Sequence, residues 1–335
     1  LYGGDWENRM KQELILGIGG IRMINQLGLK PTLYHCNEGH AAFIGLERLK
    51  NLIQKRHLTF LQAGEVVRAS TLFTTHTPVP AGHDTFTEDL MRRFLSHIPD
   101  HLEISWDQFM NLGRMVENDP NEQFSMSVFA AKLSQEVNGV SRIHGRVTRE
   151  LFDKMYPGYF PEELPIGYVT NGVHLPTWTA RSWQQLYEKT FGEGFVADQS
   201  NAECWKKIHE VDDAVVWNIH LKQKNQLWEY IIDRAIKDTT RRHENPKPIF
   251  TIRDESNPVA LTIGFARRFA TYKRGDLLFT DLDRLSAIVN NRKKPVRFLF
   301  AGKAHPDDKA GQDLIRKIFT ISRMPQFLGK IIFVE

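Results

Sequence analysis

VALTIGFARRFATYKR, residues 259–274, decides how the fold is read. Val259 to Phe265 is a short apolar run with the pattern of a buried strand. It stops abruptly at Arg267-Arg268, and Lys273-Arg274 follow closely. Downstream the same rhythm repeats. Leu277 to Val289 reads as a helix, Val296 to Ala301 as a strand, Leu314 to Ile321 as helical and Ile331 to Val334 as a strand. The resulting βαβαβ alternation is the signature of a parallel sheet. In open α/β sheets ligands bind outside the carboxyl ends of the strands. Here that position holds Arg267, Arg268, Lys273, Arg274 and Tyr272. Arg offers a planar fork of donors and Lys a mobile point charge, a combination suited to phosphate. A solvated basic start to a surface helix is the competing reading of the same residues.

Upstream the period changes. Residues 241–257 read as a polar linker. Before it, Val211, Val215, Val216, Ile219, Leu227, Ile231, Ile232 and Ala235 recur at helical spacing, so residues 201–240 are expected to carry a long amphipathic helix. Three further strands are expected at Thr32–Cys36, Thr71–Thr75 and Ile166–Thr170. Helices are expected over 41–52 and 63–68, and residues 87–155 read as mostly helical. Asp5 is placed to cap a helix reaching Leu27, with Gly28 ending it. Within that helix Gly17-Ile18-Gly19-Gly20 has no preceding strand, so close helix packing is a better reading than a phosphate loop. Pro78, Pro80 and Gly82 force a loop. No internal repeat or low-complexity tract is visible.

The bulk numbers exclude several classes. The chain has 335 residues, 41% hydrophobic and 25% charged, as in a globular protein large enough for two domains. A net charge of +4 without a long basic block gives no reason to expect nucleic acid. Two cysteines, Cys36 and Cys204, supply neither a disulfide framework nor zinc spacing. There is no run of 18 apolar residues, so no membrane span is expected, and a reducing, cytoplasmic setting is the default. The first residue is Leu1, and both ends read as mid-chain sequence. The expectation is a piece of a longer protein.

The strand ends share a character. The strand at 32–36 runs into Asn37-Glu38-Gly39-His40, that at 71–75 into His76-Thr77-Pro78, and that at 166–170 into Asn171-Gly172-Val173-His174. The strand at 259–265 runs into Ala266-Arg267-Arg268, and that at 296–301 into Gly302-Lys303-Ala304-His305. Five polar turns at carboxyl edges point to a ligand cleft. Each residue also has a plainer reading. His76 suits a backbone-bonded histidine, Glu38 and His40 a helix start, Asn171-Gly172 a plain turn, Lys303 a solvated loop, and Trp178 and Trp183 core or interface. His76 with His83-Asp84 has no ligand spacing, because prolines intervene, and no metal is expected.

Taken together, TTHTPVPAGHDTF (74–86), VNGVSRIHGRV (137–147), VTNGVH (169–174), GFARRFATYKR (264–274) and AGKAHPDDKAGQ (301–312) resemble the glycogen and α-glucan phosphorylases, of bacterial type. The resemblance runs over essentially the whole chain, in the family's order. It implies a GT-B-like α/β fold: parts of two Rossmann-like domains with parallel sheets facing across a cleft. Residues 1–171 would be the late part of the first, glucan-side domain. Residues 172–335 would be the early part of the second, cofactor-side domain. It implies reversible phosphorolysis of terminal α-1,4-glucosyl units to glucose 1-phosphate, with retention, and with pyridoxal phosphate as cofactor. Its partners would be the α-1,4-glucan, inorganic phosphate and glucose 1-phosphate, in a homodimer when full length.

By the same resemblance, Arg268 and Lys273 match a cationic pair near the substrate and cofactor phosphates. Arg267 takes the place of a basic residue near the cofactor phosphate, often Lys. Tyr272 matches a tyrosine on the glucosyl unit. His76, followed by Thr77, matches a histidine at the cleaved bond, and Asn171 an asparagine on a sugar hydroxyl. Glu38 and His40 match an acidic–histidine pair bordering the site. Fixed cations would offset the repulsion of two phosphates brought together, and nearby dipoles would favour a cation-like glucosyl transition state.

Two departures stand out. No lysine here matches the family's Schiff-base segment, which is expected beyond Glu335, and the first-domain phosphate loop is expected before Leu1. A gate loop near residues 2–8 reads as short. The chain alone is therefore expected to be inactive. The rival readings are a GT-B glucosyltransferase using a nucleotide sugar and a catalytically inert glucan-binding fragment. Tyr272, the His76-Thr77-Pro78 loop and the Asn171-Gly172-Val173 turn favour phosphorylase.

Overall fold

The computed structural model describes residues 5–78, 83–306 and 308–334. The loop expected from Pro78, Pro80 and Gly82 falls mostly on residues 79–82, and the short gate loop partly on residues 1–4, outside the described residues. The chain divides into two compact units, Leu1–Val173 and His174–Glu335.

The first unit carries β1 (Tyr34–Asn37), β2 (Thr71–Thr74), β3 (Thr85–Phe86), β4 (Phe124–Ser125), β5 (Glu136–Gly139) and β6 (Ile166–Tyr168). Strands β1, β2, β5 and β6 form one parallel sheet in that order, while β3 and β4 make a small antiparallel pair. The three strands expected from sequence in this half do share a sheet. The fourth, β5, lies inside the segment expected to be mostly helical, which correctly holds helices at 88–95, 98–102, 106–111, 126–132 and 142–151. Its four residues, Glu-Val-Asn-Gly, contain one apolar side chain and so show no hydrophobic period. It becomes a strand because β2 and β6 bond it from both sides, a tertiary decision that overrides weak local preference. The core below is aromatic: Phe43, Phe73, Phe86, Phe109, Phe124 and Phe129 are fully buried or nearly so.

Asp5 caps the first helix as expected, accepting from the Asn8 amide at 2.8 Å. The helical run is unbroken to Gln26, with Leu27 and then Gly28 ending it as expected, but its middle departs from α geometry. Residues Ile15–Gly19 form a π-helical turn between Trp6–Leu14 and Gly20–Gln26. The irregular turn coincides with the glycines. A Cβ on Gly17 would lie 2.7 Å from Phe43 Cβ and 2.9 Å from the Ile44 nitrogen. Close packing is thus real at Gly17, but Gly20 has nothing within 4 Å of such a Cβ. The two glycines are expected to respond with opposite signs. Gly17→Ala overpacks the helix against the 44–56 helix and should cost about 1–3 kcal/mol. Gly20→Ala should gain roughly 0.5–1 kcal/mol from helix propensity. Urea unfolding of the two variants checks this; equal shifts would count against the packing role of Gly17.

The second unit carries β7 (Leu261–Ala266), β8 (Val296–Ala301) and β9 (Ile331–Val334), parallel and in that order. The βαβαβ reading is therefore correct, with helices at Leu282–Val289 and Lys309–Ser322 between the strands. The amphipathic segment becomes a helix over Asp213–Arg242, capped by Asp212. Trp228 and Ile231 on it pack with Ile332 of β9. The expected linker is partly wrong: Lys247–Asp254 is helical, started by Pro246 and Pro248 where a helix tolerates proline. Phe269, Phe279, Phe300, Phe327 and Ile318 form the core of this half. No helix among the described residues is long and apolar enough to cross a membrane.

Candidate functional site

In the first unit the sheet is parallel, so the turns after β1, β2 and β6 lie on one edge. Glu38 organises two of them. Its backbone has φ 67° and ψ 173°, a region that is essentially glycine-only and costs a side-chain-bearing residue about 1–3 kcal/mol. The conformation persists because its carboxylate is tied from several sides. Oε1 accepts from the His76 backbone amide and from Thr77 Oγ1 at 3.0 Å, and Oε2 accepts from Thr75 Oγ1 at 3.4 Å. The Glu38 amide donates to the Thr74 carbonyl at 2.9 Å. Gly39 then packs where a Cβ would lie 3.1 Å from Met126 and Ser127. Glu38 thus joins His76 and Thr77 into one rigid turn, and the His76 ring pairs through Nε2 with Asn37 Oδ1 at 2.7 Å. Asn171 lies on the same edge, beyond β6, held by its amide to the Val140 carbonyl at 3.2 Å and exposed.

His40 belongs to a different group. Its Nδ1 lies 3.2 Å from both Asp84 Oδ2 and Arg9 Nη2, and Arg9 also bonds Asp84 directly. Glu13, one helical turn after Arg9, completes the cluster with its Oε1 3.7 Å from Arg9 Nε. Glu13 is almost wholly buried, and neither of its oxygens has a partner within hydrogen-bonding distance. Burial, reinforced by the Asp84 charge, pushes its carboxyl up to about 9. Burial acts on Asp84 the same way but is outweighed: His40 and Arg9, both at its Oδ2, and the Arg9 charge hold it below the usual carboxylate range. Glu13 is therefore neutral and Asp84 ionised near pH 7. Ligand atoms of Glu13, His40 and Asp84 lie within 4.8 Å of one another, but Arg9 already supplies the cation of this cluster. His76, His83 and Asp84 turn to separate partners, with His83 Nδ1 on Ser127 Oγ at 2.7 Å. Sequence reasoning named neither Arg9 nor Glu13. Their i, i+4 spacing was visible, but the contact with Asp84 spans 75 residues.

In the second unit the basic segment follows β7 closely against the end of β8. The Arg267 amide donates to the Ala301 carbonyl at 3.1 Å, and the Phe269 amide to the Lys303 carbonyl at 2.9 Å. Phe269 is fully buried, with Phe265 and Phe333 rings 5.5 and 5.8 Å away. This anchor leaves Arg267, Arg268, Tyr272 and Arg274 exposed and Lys273 half-buried. Lys273 Nζ lies 4.8 Å from the centre of the Tyr272 ring, within cation–π range. Glycine permits the approach. At Gly302, φ is 146°, and a Cβ would lie 2.0 Å from the Arg267 carbonyl oxygen; one at Gly311 would lie 2.6 Å from that of Phe269. Among the described residues, none of the four cations forms an ion pair, and the neighbouring Asp276 is taken by Lys317. The basic segment is thus a surface of uncompensated positive charge on a rigid turn, rather than the start of a surface helix; only Thr271–Lys273 turns, as a single 3₁₀ loop.

Residues 25–326 match the sequence profile of the carbohydrate phosphorylases. The chain belongs to the carbohydrate phosphorylase family. Over its whole length it is 42% identical to maltodextrin phosphorylase of Thermococcus litoralis, covering 39% of that protein. It is likewise 38% identical to glycogen phosphorylase of Mycobacterium tuberculosis, covering 39%, and 37% identical to glycogen phosphorylase of Aquifex aeolicus, covering 48%. The chain thus spans two-fifths to half the length of these phosphorylases. Its two parallel α/β sheets agree with the GT-B-like fold expected of a phosphorylase.

Proposed function

We propose that this chain is a segment of an α-glucan phosphorylase, which transfers terminal α-1,4-glucosyl units to inorganic phosphate and releases glucose 1-phosphate with retention. The observation that carries the reading is the unpaired cationic turn 267–274 behind β7, in a chain 37–42% identical to glycogen and maltodextrin phosphorylases. In this reading residues 1–171 serve the glucan and residues 172–335 the cofactor, each a Rossmann-like half. Arg268 and Lys273 offset the substrate phosphate, and Tyr272 meets the glucosyl unit. Asn171, His76 and Thr77 contact sugar oxygens, with Glu38 locking the His76 turn and His40 bordering it. The full-length enzyme would be cytoplasmic and dimeric.

Pyridoxal phosphate fits the residues present. Among the described residues Arg267 and Lys273 have no carboxylate partner, and Gly302 keeps the strand end free of a side chain. When bound, that cofactor's phosphate supplies acid–base chemistry to the substrate phosphate. This chain's residues hold both anions in place by fixed charge, which water cannot do as well because its dipoles must reorganise.

The test is an assay of the protein at the length of its relatives. Phosphate-dependent release of glucose 1-phosphate from maltodextrin is expected. Glucosyl transfer from a nucleotide sugar without phosphate would replace this reading by the glucosyltransferase one.

A further inference from the structure

The part-buried group around His40 has a use that its packing alone does not require. Four titratable side chains from three places converge: Arg9 and Glu13 from the first helix, His40 from the turn after β1, and Asp84 from the residue before β3. Asp84 Oδ2 receives Arg9 Nη2 and lies 3.2 Å from His40 Nδ1. Arg9 Nη2 is also 3.2 Å from Nδ1. The distances allow two arrangements. In one, neutral His40 carries its proton on Nδ1 and donates to Asp84. In the other, Nδ1 is bare and accepts from Arg9. A carboxylate accepts a charge-assisted bond more strongly than a neutral imidazole nitrogen does, and Arg9 has Asp84 within direct reach.

We propose that Asp84 and Arg9 are positioning residues that fix His40 in the Nδ1–H tautomer, so that the basic nitrogen of the ring is Nε2. Glu13 has a distinct part. As a neutral acid, it adds bulk and a dipole beside Asp84 without a second negative charge, so Asp84 is the anion that His40 and Arg9 share among the described residues. A histidine's role depends on which nitrogen carries the proton, and that is set by the partner of the other nitrogen. The same ring offers a donor or an acceptor to a sugar hydroxyl according to this choice. What His40 faces rests on the phosphorylase reading; the tautomer does not, and it is read in this chain whatever the reaction.

The experiment is ¹⁵N NMR of the chain labelled at histidine, above the pH at which ordinary imidazoles titrate. The expected wild-type signal for His40 has a protonated Nδ1 and a bare Nε2. Asp84→Asn should lose this pattern, moving His40 to the opposite tautomer or to an exchanging mixture. Glu13→Gln, which mimics the neutral acid, should keep it. A wild-type His40 with a bare Nδ1 would overturn the proposal without any variant. So would an unchanged pattern in folded Asp84→Asn, since a purely structural Asp84 would leave the tautomer alone. Should Asp84→Asn fail to fold, Arg9→Lys is read instead: the Nδ1–H pattern should persist, and a switch to bare Nδ1 would show that Arg9, not Asp84, had set it.

Discussion

Replacing Arg268 by Ala in the intact phosphorylase is expected to lower kcat about 10- to 150-fold with little change in stability. The magnitude follows from the loss of one charge-assisted hydrogen bond, about 1.5–3 kcal/mol, where the proposed function would bring two phosphates together. Two engaged arms of the guanidinium would make the loss larger. Stability is spared because Arg268 is exposed and, among the described residues, makes no ion pair. Lys273→Ala should behave similarly in rate, with loss also of its contact with Tyr272. Steady-state phosphorolysis and a thermal melt on the same preparations separate the two effects. Unchanged turnover in both variants would remove the cationic turn from the proposed site, and a parallel loss of melting temperature would reassign it to folding.

The second large effect concerns Glu13. Its carboxyl is raised from about 4.5 in the open chain to about 9 in the folded one, burial being the main cause. The sign follows from proton counting. Below the unfolded value both states are protonated and nothing is lost. Between the two values the unfolded chain has released a proton that the folded one keeps, so stability falls by about 1.4 kcal/mol per pH unit. Glu13→Gln keeps the shape beside Asp84 and does not titrate. It should therefore match wild type near pH 4.5 and exceed it by about 2–4 kcal/mol at pH 8, less than the full linkage because the denatured state is not featureless. Asp84 shifts the opposite way, and its contribution is lost only as pH falls through a value below the carboxylate range, outside this window. Urea unfolding at both pH values is the measurement. A stability difference independent of pH would show that Glu13 is ionised in the folded chain.

Much of the architecture was legible because it is local. The run from Val259 to Phe265, the apolar run Val296–Ala301 and the short Ile331–Val334 each carry enough β-branched and aromatic residues to declare a strand unaided. The basic turn could be read for the same reason, since Arg267, Arg268, Lys273 and Arg274 are close in sequence. The polar turns after β1, β2 and β6 could be placed on one edge once a parallel sheet was inferred. What local pattern could not supply was β5, whose Glu-Val-Asn-Gly has no period and whose strand exists because two neighbours bond it. The helix at Lys247–Asp254 was likewise hidden, its prolines reading as breakers although they stand at the helix start.

Sequence by itself determined which charged and polar residue types stand at the strand ends, and the strands they follow. Tertiary structure alone decided their pairing and protonation. Glu38 reaches His76 and Thr77, and Arg9 reaches Asp84, across separations of 38, 39 and 75 residues. Glu13 is an ordinary helical acid until folding removes it from water, which is what keeps it protonated. Gly302 matters because folding sets its φ at 146° and packs the Arg267 carbonyl against it. The physical reason is common to all three. Burial and long-range contact set desolvation and hydrogen-bond partners, and neither is encoded in the spacing of residues along the chain.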